Sequence, residues 1–173
     1  MAQSVNFIFG FLTILAHVMV LWLVFSWLFE FKLPKFIAAN ALMLAFAAVL
    51  LATLGSLTYS EVLGYAPCKL CWIQRIFMYP QVLILGLALF GKHKGSRALV
   101  DTSLVLSAIG AVVALYHYLM QLGIIPEGSC AAIGYSVSCA ERFVLQFGYI
   151  TIPLMAFSAF LLVTFALLLK RKE

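Results

Sequence analysis

The chain has 173 residues, 65% hydrophobic and 10% charged, and its eleven basic and six acidic side chains give a formal net charge of +5. Ordinary soluble domains carry about 45–50% apolar and about 25% charged residues, so this sequence cannot cover a water-facing surface and belongs in a membrane. No cluster of Lys and Arg is interleaved with aromatics, which sets nucleic-acid binding aside; the basic excess is read as topology.

A helix needs about 20 apolar residues to cross a bilayer. Five segments qualify: Phe7–Phe29, Phe36–Leu57, Trp72–Phe90, Leu104–Leu122 and Ile150–Leu169. They predict an all-α, polytopic membrane helix bundle. The first segment reads as a true span and not a signal peptide: Met1–Asn6 has no Lys or Arg, the apolar run is long, and no small-x-small site precedes Glu30. Lys32 and Lys35 follow it, Lys92, Lys94 and Arg97 follow the third span, and Lys170, Arg171 and Lys172 close the chain. Five spans put these three places on one side, which the positive-inside rule makes the cytoplasm. The N-terminus and the loops Tyr59–Cys71 and Gly123–Tyr149 then lie outside, with only Lys69 and Arg142 as basic loop residues. Those two loops hold all four cysteines, Cys68, Cys71, Cys130 and Cys139. Every thiol is therefore expected on the oxidising face, where disulfides persist. Four cysteines allow three pairings, and the sequence does not choose among them.

Cys68-Lys-Leu-Cys71 is a C-x-x-C that opens an apolar span. Pro67 suits the first turn of a helix, so Cys71 is expected near a helix N-terminus, where unpaired amides and the helix dipole favour a thiolate. Arg75, four residues beyond Cys71, shares its helical face. Arg75 has two readings: a snorkelling anchor in the lipid phosphates, or an interior charge that binds a polar group and steadies a thiolate. Cys130 and Cys139 flank "AAIGYSVS"; a bridge there is either a simple loop clip or a labile, exchanging disulfide. A four-sulfur zinc site is disfavoured by the long second spacing and the oxidising side. In the fourth span His117 and Gln121 stand four apart, near the depth of Arg75. Such a histidine is often a helix–helix hydrogen bond. Three polar groups from two helices beside a C-x-x-C are also how a bundle would seat the polar head of a lipid-soluble ring, with apolar walls for its tail. His17, alone in the first span, reads as packing or interfacial, and Glu61 as a solvated loop charge.

The stretches "GSLTYSEV" (Gly55–Val62), "PCKLCWIQRIFMYPQVLILG" (Pro67–Gly86), "HYLMQ" (His117–Gln121) and "CAERFVLQFGYITIP" (Cys139–Pro153) resemble the disulfide bond formation protein B (DsbB) family, and most of all its shorter, BdbC-like Gram-positive-type members. The likeness spans about residues 36–169, leaving residues 1–30 as an extra N-terminal transmembrane helix before a four-helix DsbB-like domain. It implies a bound quinone, menaquinone or ubiquinone, and a thioredoxin-fold DsbA-like partner in the bacterial cell membrane. Carried over by motif, Cys68 and Cys71 match the quinone-side pair, with Cys71 the thiol that contacts the quinone. Arg75 matches the arginine at the quinone head, and His117 and Gln121 match polar residues near its pocket. Cys130 matches the loop cysteine that forms a mixed disulfide with the partner, and Cys139 its resolving mate. The loop between Cys130 and Cys139 is shorter than in proteobacterial members. The function implied is a quinone-dependent thiol oxidase that reoxidises an extracytoplasmic dithiol carrier and so supports disulfide formation in exported proteins.

Overall fold

The computed structural model describes residues 2–29, 37, 39–91, 95–127 and 137–172. Among them are five helices long and apolar enough to cross a membrane: α1 (Ala2–Phe29), α2 (Ala41–Leu57), α3 (Lys69–Phe90), α4 (Arg97–Gln121) and α5 (Ile152–Lys172). This is a multi-pass membrane architecture. In hydrocarbon a backbone must satisfy its own N–H and C=O groups, and a helix does so within one segment. The outward faces match that solvent: Leu21, Leu83 and Val112 are among the most exposed side chains.

The helices run longer than the apolar runs alone indicate. α4 begins at Arg97, and Asp101 and Thr102 lie inside it, because a helix continues past the hydrophobic stretch into the interface. α3 begins at Lys69 and not Trp72, with Cys68 as its N-cap. Pro67 therefore sits just before the cap, not in the first turn. α2 ends in a π-helical turn, Thr58–Val62. There the Thr58 hydroxyl donates to Leu54 O (2.8 Å) and Ser60 to Ser56 O (3.2 Å), the back-bonding that loosens a helix end. Gly64, at φ 70°, supplies the left-handed residue that turns the chain away.

α2, α3, α4 and α5 each pack on their neighbours in chain order, and α5 closes the ring against α2. The core is an apolar column that includes Val49, Met78, Leu85, Ala114, Phe160 and Val163. Close approach of α4 and α5 depends on Gly110, where a Cβ would fall 2.4 Å from the ring of Phe160. Two polar side chains within the ring pair with each other: Ser107 donates to Gln81 Oε1 (2.8 Å), and Gln81 donates to Phe77 O (2.8 Å), one residue from the carbonyl that Pro80 leaves without its N–H.

α1 packs on α5 from outside the ring. His17, read from sequence as packing or interfacial, hydrogen-bonds Ser158 Oγ (2.7 Å) and stacks on Tyr149 (6.2 Å). Before α5, Gln146 and Ile150 form a β-bridge around a turn in which Phe147 (φ 53°) and Gly148 (φ 80°) are both left-handed. The Phe147 ring packs on Phe7 of α1.

Replacing Gly110 with Val forces a branched side chain into the fully buried Phe160 ring. Overpacking of this kind costs about 1–3 kcal/mol, so the variant should unfold at lower temperature in detergent, whereas Gly86→Ala on α3, where a Cβ would meet only Phe46 at an ordinary 3.5 Å, should shift the midpoint far less. An unshifted Gly110→Val midpoint would show that the two helices do not meet there.

Candidate active site

Cys68 caps α3, and its sulfur accepts from the Cys71 amide (3.4 Å). The Cys68 thiol donates to Cys71 Sγ at 3.2 Å. Both are free thiols, Cys68 buried and Cys71 half-buried. The proton shared with Cys71, and then burial, push the Cys68 thiol up to about 12, against the opposing pull of His117. Cys68 thus keeps its proton, and Cys71, inside the first turn, is the acceptor. The C-x-x-C spacing produces this asymmetry because cap and third helical residue lie within one turn.

His117 joins this pair to the second cysteine loop. Its Nε2 lies 3.0 Å from the Cys139 carbonyl and 3.6 Å from Cys68 Sγ. A carbonyl only accepts, so Nε2 carries the hydrogen, and Nδ1 accepts from Gln74 Nε2 at 2.9 Å. His117 is therefore both the helix–helix hydrogen bond that spans favour and a proton-bearing atom beside a thiol. The two nearest sulfurs and this ring supply three soft donor atoms within 4.8 Å of one another.

Cys139 is buried and packs with Cys68, Cys71, Leu70 and Met120. Its backbone is gripped from both sides: His117 takes the carbonyl, and Glu127 accepts from the amide (2.8 Å). Glu127 also accepts from Ser138 Oγ (2.7 Å). The Ser138 hydroxyl first, with the Cys139 amide behind it, holds the Glu127 carboxyl below its ordinary value. Cys130 lies outside the described residues.

Arg75 does not reach outward as an anchor. Its Nε donates to Ser56 Oγ (3.0 Å) and its Nη2 to Ser56 O (3.2 Å) at the end of α2, and Tyr79 donates to the same hydroxyl (3.1 Å). The guanidinium carbon lies 5.0 Å from the Trp72 ring centre and 5.9 Å from that of Tyr79, in the range of cation–π attraction. Gln121 spends its amide nitrogen on Glu141 O (2.8 Å), and Arg142 donates to the Gln121 carbonyl. Gln121 Oε1 is buried with no partner among the described residues.

Cys71, Arg75, His117 and Gln121 all line one cavity of about 310 Å³. Cys68, Cys139 and Gln74 line the same end, and the remainder is walled by apolar faces of α1, α2 and α5. Each described cysteine, with Arg75, His117 and Gln121, thus borders this space, whereas His17 and Glu61 do not. Sequence reasoning missed Gln74, Ser56, Tyr79 and Glu127. Gln74 lies inside the recognised block, and its spacing from Cys71 is a usable signal. Ser56 and Glu127 act across tertiary contacts that no local pattern announces.

The sequence model of the family described as "Disulfide bond formation protein DsbB" matches residues 38–170. A "Probable disulfide formation protein" of Oceanobacillus iheyensis is 49% identical over 127 residues, 73% of this chain and 85% of the relative. A "Disulfide bond formation protein C" of Bacillus subtilis is 40% identical over 134 residues, 75% of this chain and 91% of the relative. A "Probable disulfide formation protein C" of Bacillus cereus is 43% identical over 121 residues, 70% of this chain and 84% of the relative. No solved structure matches the chain significantly.

Two outcomes follow from the geometry. In the reduced protein at pH 8, below the value near 12 for Cys68, iodoacetamide should label Cys71 well before Cys68, as read by peptide mass spectrometry; equal rates would break the assigned proton order. Glu127 has a depressed pKa, so its hold on the Cys139 loop is present above the ordinary carboxylate range and is lost as pH falls through the lowered value. Exchange protection of the Cys139 and Ala140 amides, corrected for intrinsic rates, should fall in that acid window, and Glu127→Gln should weaken it at neutral pH; identical pH profiles in both proteins would remove Glu127 from the clamp.

Proposed function

The chain belongs to the disulfide bond formation protein DsbB family and is a thiol-disulfide oxidoreductase of disulfide formation, and from that premise we propose that it reoxidises an extracytoplasmic thioredoxin-like dithiol carrier and passes two electrons through two cysteine pairs to a membrane quinone. The observation that carries this reading is the meeting of Cys71, Arg75, His117 and Gln121 at the polar end of one apolar cavity. The proposed frame is a bacterial cell membrane with the N-terminus and all four cysteines outside and the C-terminus in the cytoplasm. Residues 36–169 form the DsbB-like core, and α1 is an added span.

In the proposed path a thiolate of the carrier attacks Cys130 in a Cys130–Cys139 disulfide, and Cys139 leaves as the thiolate. The second carrier thiol then displaces Cys130, so the carrier departs oxidised and the loop pair is reduced. The loop pair next exchanges with a Cys68–Cys71 disulfide and is itself reoxidised, leaving Cys68 and Cys71 as thiols. Exchange needs a thiolate and access. Packing Cys139 against Cys68 and Cys71 shortens the transfer, and the proton order in the C-x-x-C makes Cys71 the reactive sulfur.

The cavity suits a quinone: its walls are apolar, its polar atoms cluster at one end, and the orphaned Gln121 Oε1 would accept from a ring hydroxyl of the reduced form. When bound, a quinone, menaquinone or ubiquinone, supplies the acceptor for two electrons and two protons. Arg75, held by Ser56 and Tyr79, presents fixed positive charge where negative charge develops. His117 Nε2 holds a proton between Cys68 and the cavity, and Gln74 fixes which ring nitrogen carries it.

The test is a detergent-purified protein mixed with a reduced thioredoxin-like dithiol protein and either quinone, with quinone loss followed in the ultraviolet. Cys71→Ser and Cys130→Ser should abolish turnover. Arg75→Ala should raise the quinone KM about tenfold, the equivalent of about 1.4 kcal/mol. No quinone reduction by the intact protein with either quinone and several dithiol partners would overturn the reading.

A further inference from the structure

α1 lies outside the residues matched by the family model, which begin at residue 38, yet it is a wall of the cavity. Phe9, Leu12, Leu15, Ala16 and Met19 all line it. Leu12, Ala16 and Met19 recur at the i, i+4, i+7 spacing of one helical face. α1 is also tied firmly in place. A Cβ at Gly10 would fall 2.7 Å from the Gln146 side chain, and one at Gly55 of α2 would fall 2.8 Å from the Phe9 ring. Lower down, His17 bonds Ser158 of α5 at 2.7 Å. Two glycine contacts and a buried-helix hydrogen bond fix both the distance and the rotation of α1.

The space that α1 closes is long and narrow. On α2 the lining runs from Leu44 to Ser60, about 24 Å at about 1.5 Å per residue. Polar lining residues gather near the thiols, and the deep part is bounded by Ala16, Met19, Ala48, Ala52, Ala159 and Leu162. Alanines on three different helices leave a channel where larger side chains would have met. A lining without hydrogen-bonding groups, continuous with a polar end, suits an unbranched apolar chain attached to a polar ring.

We propose that α1 is the tail-binding wall of the site: the isoprenoid tail of the quinone lies in the sleeve between α1, α2 and α5, and Ala16 sets its width. This inference rests on the quinone reading above and adds to it a role for the N-terminal span. The tail exchanges a lipid surrounding for a protein one, so the gain comes from shape and packing and not from leaving water.

The test measures binding as well as turnover. Oxidised full-length protein in detergent is titrated with ring-matched quinones, one bearing a methyl in place of the tail and one bearing four isoprene units, in both the benzoquinone and naphthoquinone series. Affinity is read from the shift of the thermal midpoint, which grows with ligand over Kd. The wild type should prefer a tailed quinone by about tenfold or more. Ala16→Phe, which fills the sleeve, should bring that ratio to within about twofold and leave affinity for the tailless ring intact. Leu12→Ala, which removes part of the wall without filling the channel, should also lower the ratio. Leu21→Phe, on the lipid-facing side of α1 where Leu21 is 70% exposed, should not. Equal affinity of the wild type for tailed and tailless rings, or an unchanged ratio in both wall variants, would overturn the role of α1 and leave the oxidase standing. Absence of any stabilisation by any of the four quinones, together with no quinone reduction, would overturn both.

Discussion

The hydrogen bond from Gln74 to His117 is the constraint on which the thiol end depends. A buried imidazole must satisfy both ring nitrogens or suffer the desolvation cost of an unpaired polar group. Gln74 takes Nδ1 and leaves Nε2 as the donor, and that donor has two neighbours, the Cys139 carbonyl and Cys68 Sγ. One ring therefore joins α3, α4 and the second cysteine loop. Without Gln74 the tautomer is no longer specified. Without the ring, the Cys139 carbonyl loses its grip on the bundle. The second grip, Glu127 on the Cys139 amide, comes from the loop itself, so the cysteine is held from the membrane side and the water side at once.

Arg75 is organised by a different solution to the same problem. A guanidinium at the edge of hydrocarbon needs partners, and the end of α2 provides them. The π-helical turn Thr58–Val62 begins two residues after Ser56, whose hydroxyl and carbonyl both accept from Arg75. Two aromatic rings flank the cation. A charge fixed in this way keeps its position when a ligand enters or leaves, which is the property electrostatic stabilisation requires. A lysine would keep the charge and lose the two-pronged geometry.

Much of this was legible in the sequence, for reasons that differ by residue. The five spans could be read because a bilayer demands length and apolarity, and both are visible in composition. Arg75 and Cys71 could be placed on one face because helical spacing is local, and the same holds for His117 and Gln121. The apolar run of the third span starts at Trp72, three residues inside α3, because hydropathy sees Trp72 and not the cap, and the Pro67 signal falls two residues ahead of Lys69, whereas the helix begins where Cys68 satisfies the amide of Cys71. His17 looked solitary because its partner Ser158 is 141 positions away. Ser56 and Glu127 were missed for the same reason: nothing in a serine near a helix end, or in a loop glutamate, records which side chain the fold brings to it. The pairing of the cysteines and the part played by Cys130 stay with the family resemblance, since Cys130 lies outside the described residues.

The two thiols of the C-x-x-C are chemically unequal before any ligand or partner arrives. Cys68 sits at the cap, buried, receiving the Cys71 amide and facing His117, and it donates its proton to Cys71 Sγ. Cys71 lies one turn in, on the cavity wall beside Arg75. A thiol that keeps its proton is a poor nucleophile, and a sulfur that accepts one at a helix N-terminus is a good one. The cap geometry sets Cys68 against His117 and Cys71 one helical turn from Arg75, and both sulfurs border the cavity. The spacing of the C-x-x-C, one helical cap wide, is what gives two neighbouring sulfurs different surroundings: one is a buried cap that keeps its proton, the other an acceptor in the first turn.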